Sequence, residues 1–179
     1  MRKDAPGTCP GFTLLELMVT LALVAVLAGL ALPGARQLAE RQRTASAMHG
    51  LTAQLALART AAITSRTAVT LCPARGDGTC AASSDWSNGW LTYRDPQRRS
   101  QPRSHGDILR EELRPVHGSI RIVSSTGRVR VRYQPDGRAG GTNLTLRVCA
   151  NGRLHGEVVV NNIGRVRTRR HPDPPPCPS

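Results

Sequence analysis

Aromatic residues are nearly absent: one Phe, two Trp and two Tyr stand among 179 residues. With so few rings, any core must be assembled mostly from Val, Leu, Ile and Ala. Acidic residues are also scarce. Twelve Asp and Glu face 25 Lys and Arg, for a formal net charge of +13, and almost all the cations are arginines. Such a surface favours anionic partners, whether nucleic acid, acidic lipid headgroups or acidic glycans. A high-GC genome rich in Arg codons would give the same balance without a ligand.

Signatures of metal binding and catalysis are missing. Cys9, Cys72, Cys80, Cys149 and Cys177 contain no C-x-x-C knuckle, so no metal site or other cofactor is expected. His49, His105, His117, His155 and His171 are scattered. There is no H-E-x-x-H pair, no G-x-S-x-G elbow and no phosphate-cradling glycine loop, and the chain is not expected to be an enzyme.

What is present begins at the N-terminus. A short polar stretch carrying Arg2 and Lys3 precedes an apolar run from Phe12 to Leu32, long enough to span a bilayer as a helix. The basic flank places the N-terminus on the cytoplasmic side and the remainder outside. The run is too long for an ordinary secretory signal, and Pro33-Gly34-Ala35-Arg36-Gln37-Leu38 leads straight into another helical pattern. Glu16 lies inside the run, where an ionisable group costs about 2.5–3.5 kcal/mol and is by default a functional candidate.

The block Gly11-Phe12-Thr13-Leu14-Leu15-Glu16-Leu17-Met18-Val19 resembles the class III signal of type IV pilins and type II secretion pseudopilins. The resemblance implies that a prepilin peptidase cuts between Gly11 and Phe12 and N-methylates Phe12. It also implies that Glu16 pairs with the terminal amine of a neighbouring subunit, a partner that makes a buried carboxylate tolerable. Expected partners are therefore other pilins or pseudopilins, the peptidase and the inner membrane. Such a cut removes Cys9 and leaves four cysteines, an even number suited to an oxidising compartment, with three pairings open.

Beyond Pro33 the helical pattern resumes. Met48, Leu51, Leu55, Ala58 and Ala62 recur at steps of three and four, predicting one apolar face on a helix that continues to about Ser65. From Arg66 onward the chain turns to short β-branched runs: Ala68–Cys72, Trp90–Tyr93, Ile120–Val123, Leu144–Val148 and Glu157–Val160. Arg128 to Tyr133 alternates strictly, with three arginines on one face and Val129, Val131 and Tyr133 on the other. Pro135-Asp136-Gly137 signals a turn, Arg94 to Gly106 an exposed loop, and Pro172 to Pro178 an extended tail outside any ladder.

The expected organisation is a leader (1–11), a transmembrane helix (12–32), an amphipathic helix (33–66), a periplasmic β-rich domain (67–163) and an Arg- and Pro-rich tail (164–179). This is an α+β, pilin-like fold, a long N-terminal helix packed on an antiparallel sheet domain. Leu71-Cys72-Pro73, Cys80, Trp86-Ser87-Asn88-Gly89-Trp90 and the closing Gly164-Arg165-Val166-Arg167 resemble the GspH/FimT subgroup. That resemblance implies the pairings Cys72–Cys80 and Cys149–Cys177.

Within the subgroup two machines compete: a type IV pilus, or the pseudopilus of type II secretion. The C-terminal run bears on the choice. In an extended segment Arg165, Arg167 and Arg169 point to one side, about 6–7 Å apart, comparable to phosphates along a nucleic-acid strand. Guanidinium groups fork onto phosphate, and Gly164 would let a ligand approach the backbone. The Gly-Arg-x-Arg match implies DNA capture by Gly164, Arg165 and Arg167, with Arg169 and Arg170 extending the set and Asn161 and Asn162 just before it. Arg98, Arg99 and Arg103 read as secondary contacts or a plain charged loop. The alternatives are a solvated flank, acidic contacts on a neighbouring pilin, or a structural GspH-type pseudopilin. No aromatic residue interleaves the run, so base stacking is not indicated.

Overall fold

The computed structural model describes residues 12–113 and 115–178. The leader, with Gly11 and Cys9, lies outside the described residues. The chain divides into two compact units, Met1–Ala39 and Glu40–Ser179. A single α-helix, α1 (Leu14–Thr64), begins in the first and ends in the second, and its assignment runs unbroken through Pro33 and Gly34. In the first unit the large apolar side chains from Leu14 to Leu32 are exposed, and this stretch is long and apolar enough to cross a membrane.

In the second unit α1 buries Thr44, Ala47, Met48, Leu51, Gln54, Leu55, Ala58 and Ala62. Steps of three and four put these residues on one stripe. The stripe faces eight strands: β1 (Val69–Pro73), β2 (Gly89–Arg94), β3 (Ile108–Leu113), β4 (Ile120–Ser124), β5 (Val131–Tyr133), β6 (Leu144–Ala150), β7 (Arg153–Val160) and β8 (Val166–Arg170). They form two four-stranded antiparallel sheets, ordered β3-β2-β1-β5 and β4-β6-β7-β8. One core joins the helical stripe to both sheets: Val69 and Leu71, Val131 and Tyr133, Ile120 and Ile122, Leu144, Leu146 and Val148, Val158 and Val160. Trp86 and Trp90 are fully buried in it, and Trp90 Nε1 donates to Glu112 Oε2 at 3.1 Å.

Five of the expected strands are present with ends shifted by a few residues. The sixth is shorter than its alternation predicts, Val131–Tyr133 alone being strand, and before it Arg128 Nε donates to Arg130 O at 3.2 Å. Strands β3 and β8 were not anticipated. Both are sheet edges rich in charge, and charged edge strands lack the apolar alternation that marks a strand. The β6–β7 hairpin turns on Asn151-Gly152, both at positive φ (49° and 72°), the two-residue turn such a pair favours.

The expected tail divides in two. Val166–Arg170 pairs with β7, so it is a strand of the domain. The proline-rich end is tied to the β6–β7 turn: Leu154 N donates to Pro175 O at 2.7 Å and Cys177 N to Gly152 O at 2.8 Å. Proline cannot donate, but its carbonyl accepts, and that suffices here. Disulfides join Cys72 to Cys80 and Cys149 to Cys177, with Cα separations of 5.7 and 6.0 Å.

Two predictions follow from this core and clip. Replacing Cys149 and Cys177 together by Ala should cost about 3–4 kcal/mol on chain-entropy grounds, read as a lower urea midpoint with native circular dichroism at low denaturant. An unchanged midpoint would refute a stabilising clip. Burial pushes the hydroxyls of both Tyr93 and Tyr133 up to about 12. The folded state then holds protons that the unfolded chain releases near pH 10, so stability is intact below that pH and falls as pH rises from about 10 towards 12. Phenolate absorbance of the native protein should rise well above the pH at which the urea-unfolded chain titrates; coincident curves would contradict the burial.

Candidate functional site

The exposed outer edge of the second sheet is β8, and its side chains alternate. Val166 lies opposite Val160 and packs against the core, while Arg167 and Arg169 lie opposite Val159 and Glu157, which face away from α1. Arg165, Arg167 and Arg169 are all exposed and share the outer face. Same-face neighbours on a strand are about 6.6 Å apart, so the three guanidinium groups form a row. Among the described residues none of the three has a side-chain ion pair or hydrogen bond.

Their acidic neighbour is already engaged. Glu157, opposite Arg169 in register, lies 3.8 Å from Arg147 Nε and 3.8 Å from His171 Nε2 through its two carboxylate oxygens. A carboxylate shared in this way offers little to a third cation. Arg170 does not join the row. It stands opposite Gly156 on the other face, where Nη2 donates to His49 Nε2 on α1 at 3.2 Å. Strand parity places it on the face opposite to that of Arg165, Arg167 and Arg169.

The row starts from a tight turn. Asn161 Oδ1 accepts from Arg165 N at 2.8 Å, Asn161 N donates to Arg165 O at 3.1 Å, and Gly164 N donates to Asn161 O at 2.9 Å. Gly164 has φ +80°, and a Cβ there would lie 2.0 Å from Gly137 O. Two turns of the chain cross at this point, with Gly137 O where a side chain on Gly164 would begin.

Other arginines serve the fold. Arg132 is mostly buried, 3.6 Å from the carboxylate of Asp95, and donates through Nη2 to Asp95 O. Asp95, 3% exposed, also accepts from Thr70 Oγ1 at 2.9 Å and from Arg99 N at 2.6 Å. Arg128 Nη1 donates to Thr142 O. The face carrying Arg128, Arg130 and Arg132 is therefore not an open cationic surface. Sequence reading missed Asp95 because its partners are Thr70 and Arg132, far away in the chain.

Near the N-terminus, Phe12 is 87% exposed, and Glu16 is exposed in the first turn of α1, its N–H donating to Thr13 Oγ1 at 3.2 Å. Gly11, the other half of the expected cleavage site, is outside the described residues. No group of three or more His, Cys, Asp or Glu placed to hold a metal occurs among the described residues.

Comparison with known proteins bears on both ends. Residues 47–164 match the family model of type II transport protein GspH, and residues 8–32 match the prokaryotic N-terminal methylation motif. No curated protein matches the chain. Two crystal structures of the type IV minor pilin FimU from Pseudomonas aeruginosa are similar in fold. The form in space group P21 has a TM-score of 0.59 at 19% identity, covering 76% of this chain and 95% of that one. The form in P65 has a TM-score of 0.53 at 19% identity, covering 73% and 95%. The GspH match stops at Gly164, so the arginine row begins just past the matched region.

Because Gly164 combines a left-handed φ with a backbone contact, Gly164→Ala should lower stability by about 1–3 kcal/mol. Chemical denaturation measures this; a stability equal to the parent's would mean that the crossing of the two turns is not as described.

Proposed function

This chain belongs to the GspH family of type IV pilin-like proteins, and we propose that it serves as a minor pilin that captures DNA on the outer face of β8. The observation that carries the proposal is the row Arg165, Arg167 and Arg169, exposed and without acidic partners among the described residues. Arginine forks onto phosphate oxygens, and a strand sets the groups at regular intervals along an extended polyanion. With no aromatic platform beside them, the contacts are to the backbone, independent of sequence and steeply salt-dependent. Single-subunit affinity is low and rises by avidity when several subunits share a filament.

The proposal includes the life of the subunit before assembly. Prepilin peptidase cleaves between Gly11 and Phe12 and methylates Phe12, a reading supported by the methylation-motif match over residues 8–32. The apolar part of α1 anchors the protein in the inner membrane with the β domain in the periplasm. On assembly Glu16 pairs with the N-terminal amine of a neighbouring subunit, which offsets the cost of a carboxylate among lipid tails.

A second reading is favoured by the family description itself, which names a type II transport protein. In a secretion pseudopilus the arginine row would face acidic groups on an adjacent subunit.

The deciding measurement uses the full-length chain in non-ionic detergent with fluorescent DNA. Arg165→Gln with Arg167→Gln should weaken binding at least tenfold at low salt. It should also reduce the slope of log affinity against log salt by about two, near one per arginine. Melting temperature should stay at the parent value, since both side chains are exposed. Binding equal to the parent's would sink the row as the DNA contact and leave the pseudopilus reading in place.

A further inference from the structure

The β7–β8 turn that begins the arginine row also forms one wall of a groove. Asn162, in that turn, lines an open depression of about 650 Å³ together with Arg98, Arg138, Gln134 and Asp136. The remaining wall is the Pro135 turn and the backbone of Gly140 and Gly141. Behind Gly141 stands a third guanidinium, that of Arg128, 3.7 Å from where a Cβ on this glycine would sit.

Charge in the groove is unbalanced. Arg98 and Arg138 are exposed, and among the described residues neither side chain has an ion pair or hydrogen bond. The one carboxylate in the lining, Asp136, accepts the N–H of Arg138 at 2.9 Å through Oδ1, closing its own turn. Asn162 and Gln134 add neutral amide groups that can donate to an anion.

The backbone of Arg98 adds an independent observation. Its φ is 57°, a left-handed conformation that glycine adopts freely and arginine only at a cost of about 1–2 kcal/mol. The turn is nonetheless held firmly: Arg98 N donates to Asp95 O at 3.4 Å, and the buried Asp95 carboxylate accepts from Arg99 N at 2.6 Å. A hydrogen-bonded turn thus presents a long cationic side chain at a position where local conformation favours none.

We infer that this groove is a second phosphodiester site, in which Arg98 and Arg138 grip the continuation of the same nucleic-acid strand that lies along β8. The inference rests on the DNA reading of the β8 row and extends it around the β7–β8 turn. The two parts meet at Asn161 to Arg165, so a bound strand passes from the row to the groove across one short turn that also exposes Ile163. A ligand too short to span both engages one part alone. Affinity therefore steps up at the oligonucleotide length that reaches the second.

The test uses the full-length chain in non-ionic detergent and single-stranded oligonucleotides of graded length. Arg98→Gln with Arg138→Gln should weaken binding of the long oligonucleotide about tenfold, lower the salt slope by about two, and abolish the step in affinity with length. Arg98→Gly supplies the control for folding. Glycine suits φ 57°, so this variant should melt at or above the parent temperature while still losing part of the affinity. If the row variant loses DNA while both groove variants bind like the parent at every length, the groove assignment is overturned and the row stands. If the parent itself fails to bind DNA at low salt, the row and the groove fall together. If groove variants lose affinity but keep the length step, the loss is one of general charge and the groove is not a discrete site.

Discussion

One stripe of α1 organises the domain. Ala47, Met48, Leu51, Leu55, Ala58 and Ala62 are shared by both sheets, so the same few side chains complete the burial of two otherwise separate surfaces. The alanines matter as much as the larger residues, because a small side chain lets backbone approach backbone. With aromatic residues so few, Trp86, Trp90 and Tyr133 go to this core and Tyr93 to the smaller one on the other face of the first sheet. The far face of the first sheet carries a second, smaller core of Cys72, Ala74, Cys80, Leu91 and Tyr93, whereas β8 on the second sheet leaves Arg167 and Arg169 exposed.

Much of this was legible in advance. The α1 stripe came from its periodicity, and five strands from runs of β-branched residues. The N-terminal block carried its resemblance in nine consecutive positions, Gly11 to Val19. What escaped has a common cause. Strands β3 and β8 take their strand character from a neighbour on one side only, and their sequences, Ile-Leu-Arg-Glu-Glu-Leu and Val-Arg-Thr-Arg-Arg, answer to solvent more than to a core. Arg132 looked like surface until Asp95 was found beside it, and nothing in the sequence around Gly164 announced Gly137 beside it. Each of these depends on a partner distant in sequence, which no local pattern encodes.

Arg170 carries a different lesson. Its parity was already implied by reading Arg165, Arg167 and Arg169 as one side of an extended segment, yet composition drew it into the group. The hairpin register separates it, and His49 on α1 receives it. In a run this rich in arginine, count says little about which side chains share a face, and phase says more.

The bridge between Cys149 and Cys177 has a mechanical meaning. It turns the end of β6, all of β7 and β8 and the proline-rich end into a closed covalent ring. An edge strand on which a polymer is drawn experiences traction, and hydrogen bonds alone would let it peel away from its neighbour. Within the ring, load applied to β8 reaches β6 along two routes, through the chain of β7 and through the sulfur link. The strand can yield only by the slack of the loop itself. Any load on β8 is thereby carried at both of its ends, like a seam stitched on each side.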